Sequence, residues 1–379
     1  MTTIYEEAII AHRENKWKLT TAIKVNMDTK HDLAVYYSPW VAAPCLEIAK
    51  DPSKAYEYTW INNLVAVISD WSAVLGLGNL WWIAWLPVME WKSILMKKFA
   101  DVDSIPLVLN TQDTEEIIKT IYHVSPSFGA INLEDISAPR CFEIEERLQS
   151  MLNIPVFHDD QHGTAIVVLA WLINSMKIVN KKPSDCKIVM VWAGAAGIAI
   201  AKLLYIYGYT NIIMCDTKWA IHKDRSDLNK YKELVSLYNR DSLTWPLESV
   251  IKWADIFIGV SQPNLLTSEM IQSMAIDPII FALANPDPEV TPDVAKAAGA
   301  KIIATGRSDF PNQVNNVLAF PGIFRGVLDA KIPQIQDKHK LAAANAIANF
   351  ITSPDVDHII PDALTPWIAE AVAEAVKNA

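Results

Sequence analysis

From His158 onward, apolar and polar positions alternate in blocks. "GTAIVVLAWLINSMKIV" (163–179) is nearly all apolar and long enough for a buried helix, and "CKIVMV" (186–191) is a short run of the kind buried on both faces of a parallel sheet. A helix at "GIAIAKLLYIYG" (197–208) and a strand at "NIIMCD" (211–216) follow. Further strands are expected at "ADIFIGVS" (254–261), "PIIFALANP" (278–286) and "AKIIATG" (300–306), each separated by helix-compatible sequence. This alternation predicts a doubly wound, mostly parallel α/β sheet. Before His158 the rhythm is less regular, although "NNLVAVISD" (62–70), "IPLVLN" (105–110) and "FGAINLED" (128–135) read as buried strands ending in polar residues. The alanine-rich tail from Asp337 to Ala379 is helical, broken by "TSPDVDHIIPDALTP". Two α/β units are therefore expected, 1–157 and 158–379, the second Rossmann-type with C-terminal helices.

A net charge of −10 argues against nucleic acid or an anionic membrane as the main partner. The four cysteines are widely spaced, with no zinc-ligand pattern, as expected of a reduced cytoplasmic protein. The acidic N-terminus does not resemble a signal peptide. The uncharged run from Trp71 to Met89 has the length of a membrane span, but Gly76, Gly78, Asn79 and Pro87 within it favour a buried loop and helix.

"VMVWAGAAG" (189–197) carries the first chemistry. A dinucleotide turn places glycine at the tight bend, at the pyrophosphate and at the helix–strand contact. Gly194 and Gly197 fill the second and third places, but Trp192 stands in the first. The amides at Gly194, Ala195, Ala196 and Gly197 open a helix suited to pyrophosphate, and Asp216 ends the next strand, where it can accept the adenosine ribose hydroxyls. NAD is favoured; Lys218 nearby keeps NADP open. Trp192 is one of fourteen tryptophans in a chain with only twelve glycines, and glycine read at the tryptophan positions restores both ordinary glycine usage, about 7%, and turn chemistry. Translation of UGA codons with the wrong table accounts for this pattern.

Glu134 and Asp135 follow one strand-like run, and Asp159 and Asp160 another just ahead of the 163–179 helix. Carboxylates at strand ends suit Mg²⁺ or Mn²⁺. Together with "YSPWVAAPC", "PVMEWK", "INLEDISAPRCFEIEERL", "IPVFHDDQHGTA", "FALANPDPE" and "TGRSDFPNQVNNVLAFPGIFRG", these residues closely resemble the short bacterial malic enzymes, over about residues 15–375. The resemblance implies oxidative decarboxylation of malate to pyruvate by a cytoplasmic homodimer, with an N-terminal substrate domain before the NAD(P)-binding one. It implies metal ligands at Glu134, Asp135 and Asp160, a general acid at Tyr37, a general base at Lys92, and Asp159 in the catalytic group. Asn285, Asn315 and Asn316 fall at substrate positions, with Asn285 also beside the cofactor. A malolactic activity giving lactate is the alternative reaction. Trp40, Trp71, Trp81 and Trp91 stand at the family's glycine positions around this site; genuine tryptophans at 81, 82, 91 and 192 would instead suggest a catalytically silent protein with a blocked nucleotide site.

The chemistry needs these residue types. Oxidising a 2-hydroxy acid requires a base for the hydroxyl proton, and a lysine with an ordinary pKa near 10.4 serves only if burial or a nearby cation lowers it. Decarboxylation then leaves an enolate that an acid must protonate at C3.

Overall fold

The computed structural model describes residues 3–15, 18–73, 79, 81–310 and 312–379. Trp17 and the "VLGLG" stretch of the 71–89 run lie outside the described residues. Two parallel sheets form the frame. The first has the order β2-β1-β3-β4, with β1 Leu64–Ser69, β2 Asp103–Val108, β3 Ala130–Leu133 and β4 Val156–His158. Every pairing is parallel. The helices Leu86–Ala100, Thr114–Val124 and Arg140–Met151 connect the four strands in turn, so the βαβ rhythm extends into the first unit as well.

The second sheet has the order β10-β9-β8-β5-β6-β7. Its strands are β5 Lys187–Val191, β6 Asn211–Asp216, the short antiparallel β7 Trp219–Ala220, β8 Ile256–Gly259, β9 Ile279–Ala282 and β10 Ile302–Thr305. The chain leaves β5 towards β6 on one side and returns to β8 on the other. That reversal opens a crevice at the carboxyl ends of the strands, where such sheets bind ligands.

The predicted 163–179 helix begins earlier, at Asp159, so both aspartates lie in its first turn, where the helix dipole favours negative charge. This Asp159–Val179 helix has the length and hydropathy of a membrane span, but two thirds of it is buried inside the protein, against the helix Ala195–Tyr207. Near the C-terminus, the helices Phe320–Asp329 and Ile368–Lys377 pack closely, because Gly322 and Gly326 face Ala369 and Val372 and then Ala373 and Val376, with no room for a Cβ. The Phe320–Asp329 helix also rests on Leu86–Ala100 of the first unit.

Glu145 fastens the first unit to the base of the long helix. Its buried carboxylate accepts from the His158 amide at 3.0 Å and from Gln161 Nε2 at 3.0 Å, and meets His162 Nε2 at 2.9 Å. Burial works to raise this acid, yet pairing with His162 brings it down to about 2. A folded-state pKa below the unfolded one gives stability that is present above pH ~4.5 and lost as pH falls towards 2. Glu145→Ala is therefore expected to lower unfolding stability at pH 7 by about 3 kcal/mol in urea titrations, with a flatter profile between pH 5 and 3.

Among the described residues, five tryptophans take left-handed backbone: Trp71 (φ 54°), Trp192 (84°), Trp219 (77°), Trp253 (61°) and Trp367 (69°). Nine of the described tryptophans stand exposed at the surface, against the usual burial of indoles, while Trp85 and Trp171 occupy core positions.

Candidate active site

The carboxyl ends of β3 and β4 lie side by side, and the next residues of each strand bring the acids together. Ligand oxygens of Glu134, Asp135 and Asp160 lie within 4.8 Å of one another. Asp135 takes left-handed backbone (φ 55°) and its amide donates to Asp160 Oδ2 at 2.7 Å, which locks the two chain segments together. Glu134 is oriented by Asn132 Nδ2 at 2.9 Å, and Asp135 by Trp85 Nε1 at 2.8 Å. Gly163 is required one turn into the long helix, because a Cβ there would strike Asp159 Oδ1 at 1.9 Å.

Lys92, on the Leu86–Ala100 helix, is 8% exposed and points into this cluster, 2.7 Å from Asp159 Oδ2 and 3.0 Å from Glu134 Oε1. Its ammonium sits 4.4 Å above the Phe320 ring. Asn316 Nδ2 donates to the same Asp159 oxygen at 2.6 Å. Burial pushes the acids upward and mutual repulsion adds to it: Glu134 and Asp159 are raised to about 7, Asp160 to about 6, and Asp135 well above the carboxylate range. Burial pulls Lys92 down, but Asp159, Glu134 and Asp160 outweigh it and hold it above its ordinary value. This differs from the expectation of a lowered lysine, and the physical reason is the surplus of carboxylates around a single ammonium. Such a surplus of buried hard oxygen donors fits a divalent cation.

The cluster opens into a cleft of about 870 Å³ between the sheets. Asp135, Asp160, Gly194, Ala195, Ala196, Asp216, Asn285, Asn315 and Asn316 all line it, so most of the residues singled out in the sequence share one cavity. Gly197 lies beneath, where a Cβ would meet the Trp192 carbonyl oxygen at 2.1 Å. The turn and the free amides at the start of Ala195–Tyr207 fit a pyrophosphate. The Trp192 indole lies across that turn, its Nε1 only 2.6 Å from the place a Cβ on Gly194 would take. Asp216 is not a free carboxylate: Arg225 contacts both of its oxygens, at 2.8 and 3.1 Å, and Lys232 Nζ lies 2.6 Å from one of them. Burial opposes ionisation there, but bonds from Arg225 and Lys232 hold Asp216 below its usual pKa.

Tyr37 is not brought to the cluster in this way. It follows the Lys30–Tyr36 helix, is 67% exposed, and its hydroxyl bonds to no described residue. Sequence reading missed Asp70, which ends β1 as Glu134 ends β3 and is fully buried against Arg140 (2.9 Å). The same polar-after-apolar signal marks it. It also missed Glu289, whose buried carboxylate accepts from the Ser261 and Ala284 amides and ties together the ends of β8 and β9. No pattern in its segment announces that role.

Buried carboxylates around a lysine, sharing one cleft with a dinucleotide turn, are the arrangement of a nicotinamide-dependent oxidoreductase acting on a small polar substrate. The chain belongs to the malic enzyme family: residues 14–149 match the malic enzyme N-terminal domain and residues 161–378 the malic enzyme NAD binding domain. It is 52% identical to the bifunctional malic/malolactic enzyme of Bacillus subtilis, over 100% of this chain and 93% of that one. It is also 52% identical to the NAD-dependent malic enzyme of Geobacillus stearothermophilus, over 96% of this chain and 76% of that one. The crystal structure of the NAD-dependent malic enzyme from Thermotoga maritima superposes with a TM-score of 0.94 at 46% identity, covering 98% of each chain.

Proposed function

We propose that this protein oxidises (S)-malate with NAD or NADP and releases pyruvate and CO₂ in the cytoplasm. The observation that carries this reading is the single cleft shared by the carboxylate cluster around Lys92 and the turn at Gly194. Glu134, Asp135 and Asp160 are the cation ligands. When bound, the cation supplies Lewis-acid polarisation at the substrate oxygen and takes up negative charge that otherwise holds Lys92 protonated. Lys92 removes the C2 hydroxyl proton, Asp159 and Asn316 fix its direction, Asn285 and Asn315 would orient malate, and Gly194, Ala195, Ala196 and Gly197 would hold the pyrophosphate of the dinucleotide that takes up the hydride. Tyr37 returns a proton to C3 after CO₂ has left. Malate with Mn²⁺ and either dinucleotide is expected to give one reduced dinucleotide per pyruvate. Lactate without net reduction would favour the malolactic alternative, which the Bacillus relative's name keeps in view.

The homodimer supplies Tyr37. Support comes from the first sixty residues: the helices Ile4–Asn15, Lys30–Tyr36 and Ala42–Lys50 bury no residue on their own chain, and Ile9, Val25, Leu33, Leu46 and Tyr37 stand open. Such an apolar arm suits a second copy, whose cleft would receive the tyrosine. Mixing inactive Lys92→Ala and Tyr37→Phe chains is then expected to restore about a quarter of the wild-type sites, because one site of each mixed dimer has both groups intact. An acid acting within its own chain would restore none.

The natural residue at the tryptophan positions is glycine on this reading. The five left-handed tryptophans support it, since each costs about 1–2 kcal/mol that glycine does not.

A further inference from the structure

A second cavity, of about 350 Å³, lies back to back with the catalytic cleft. Two helices give a face to each space. On Asp159–Val179, Asp160 and Thr164 line the cleft, whereas Gln161, His162 and Ala165 line the second cavity. On Ala195–Tyr207, Ala195 and Ala196 line the cleft, whereas Ile198, Ala199 and Lys202 line the second cavity. Phe142 lines both, and its ring lies 4.2 Å from that of Tyr231, which lines the second cavity alone. Residues 334–337 and Lys340 complete the wall.

The state of the charged groups decides what this cavity can hold. Its carboxylates are engaged: Glu145 by the His158 amide, Gln161 and His162, and Glu146 by Lys230 at 2.8 Å and the Tyr231 hydroxyl at 3.3 Å. A cationic ligand would have to displace one of those donors. The ammonium groups are not spent in this way. Lys202 bonds to no described residue, and Lys340, with a side chain 13% exposed, has one described partner, Asp337 at 3.2 Å. Each ammonium carries three donors, so most of theirs remain for an anion, with the strength of a charge-assisted bond. Phe142, Ile198, Leu203 and Ile335 supply apolar surface beside them, and the volume falls at the lower end of the roughly 300–1,000 Å³ of small-ligand pockets.

We infer that this cavity is an effector site for a small organic carboxylate with an apolar body, held by Lys202 and Lys340 and coupled to the catalytic cleft through Phe142 and the shared helices. A ligand packed against Gln161 and His162 acts on the same helical turn that carries Asp159 and Asp160. Its effect on malate equals the difference between its affinities for the two states of that turn. The coupling rests on the malate-oxidising reading above; the binding does not.

The test uses 4-methylpentanoate as the probe and 3-methylbutylamine as its cationic counterpart, on the full-length protein. By calorimetry the carboxylate is expected to bind with a Kd of about 1 mM or tighter, and the amine at least about tenfold more weakly. Saturating malate and Mn²⁺ should change the carboxylate's Kd by less than about fivefold, whereas a probe seated in the catalytic cleft would be displaced. Lys202→Glu, at an exposed position, should keep malate turnover and lose at least about tenfold in probe affinity, and Lys340→Gln should also weaken it. In the unmodified enzyme the probe should shift the KM for malate at least about twofold, and in Lys202→Glu it should not. No binding up to about 10 mM, equal binding of the amine, displacement by malate or undiminished binding to Lys202→Glu would each overturn the site. Probe binding with an unchanged KM, in a protein that turns over malate, would overturn the effector role. Probe binding without any malate turnover would instead overturn the proposed reaction and leave the binding site standing.

Discussion

Lys92→Ala is expected to abolish dinucleotide reduction by malate, with a loss of at least the 10²–10⁴-fold typical of a positioned acid or base. The loss should exceed the lower figure, because the substitution also leaves Asp159 and Glu134 buried without the ammonium that meets them at 2.7 and 3.0 Å. Tyr37→Phe should fail at a different step. It keeps cation and dinucleotide binding but loses exchange of the C3 protons of pyruvate, read by NMR deuteration with reduced dinucleotide and Mn²⁺ present. Asp160→Asn should impair both partial reactions. Wild-type exchange in Tyr37→Phe would show that the acid is another group.

The second large effect concerns the tryptophans. Glycine at 71, 192, 219, 253 and 367 should raise unfolding stability by about 1 kcal/mol at each position, roughly 5 kcal/mol together, by removing left-handed strain. Position 192 should also gain nucleotide affinity, since its indole lies across the pyrophosphate turn. Urea unfolding and calorimetry on the five-site variant check both. Protein isolated from its natural host should show an intact mass lower by fourteen Trp-to-Gly differences and almost no indole absorbance. A mass matching tryptophan, or a five-site variant no more stable than its parent, would refute the reading.

The five parallel strands of the second sheet were legible because each is a short apolar run closed by glycine or polar residues, and β6 spans 211–216 as read; the two-residue antiparallel β7 is too short to leave such a run. The four-stranded first sheet was harder. Its βαβ order is obscured by some sixty leading residues whose described part builds no strand, and by the uncharged, tryptophan-rich run after β1, which has the length of a membrane span. Glu134, Asp135, Asp159 and Asp160 could be picked out because strand ends in a parallel sheet converge on one edge. The cations that neutralise Asp216 could not, since Arg225 and Lys232 lie in a loop and a short helix whose fold back onto β6 is a tertiary event. The position of Tyr37 was equally hidden: nothing local in "AVYYSP" distinguishes a tyrosine facing its own cleft from one facing outward.

The contact between the Phe320–Asp329 and Leu86–Ala100 helices bears on how the molecule is made. A ribosome delivers the helix carrying Lys92 early, but the Phe320 ring beneath that ammonium belongs to the last sixty or so residues of the chain. Until those residues emerge, the helix carrying Lys92 lacks the helix it rests against, and its ammonium lacks the Phe320 ring on that side. The site's own housing is thus among the last parts of the protein to be assembled, and the nascent first unit stays unfinished until the far end of the chain returns to it.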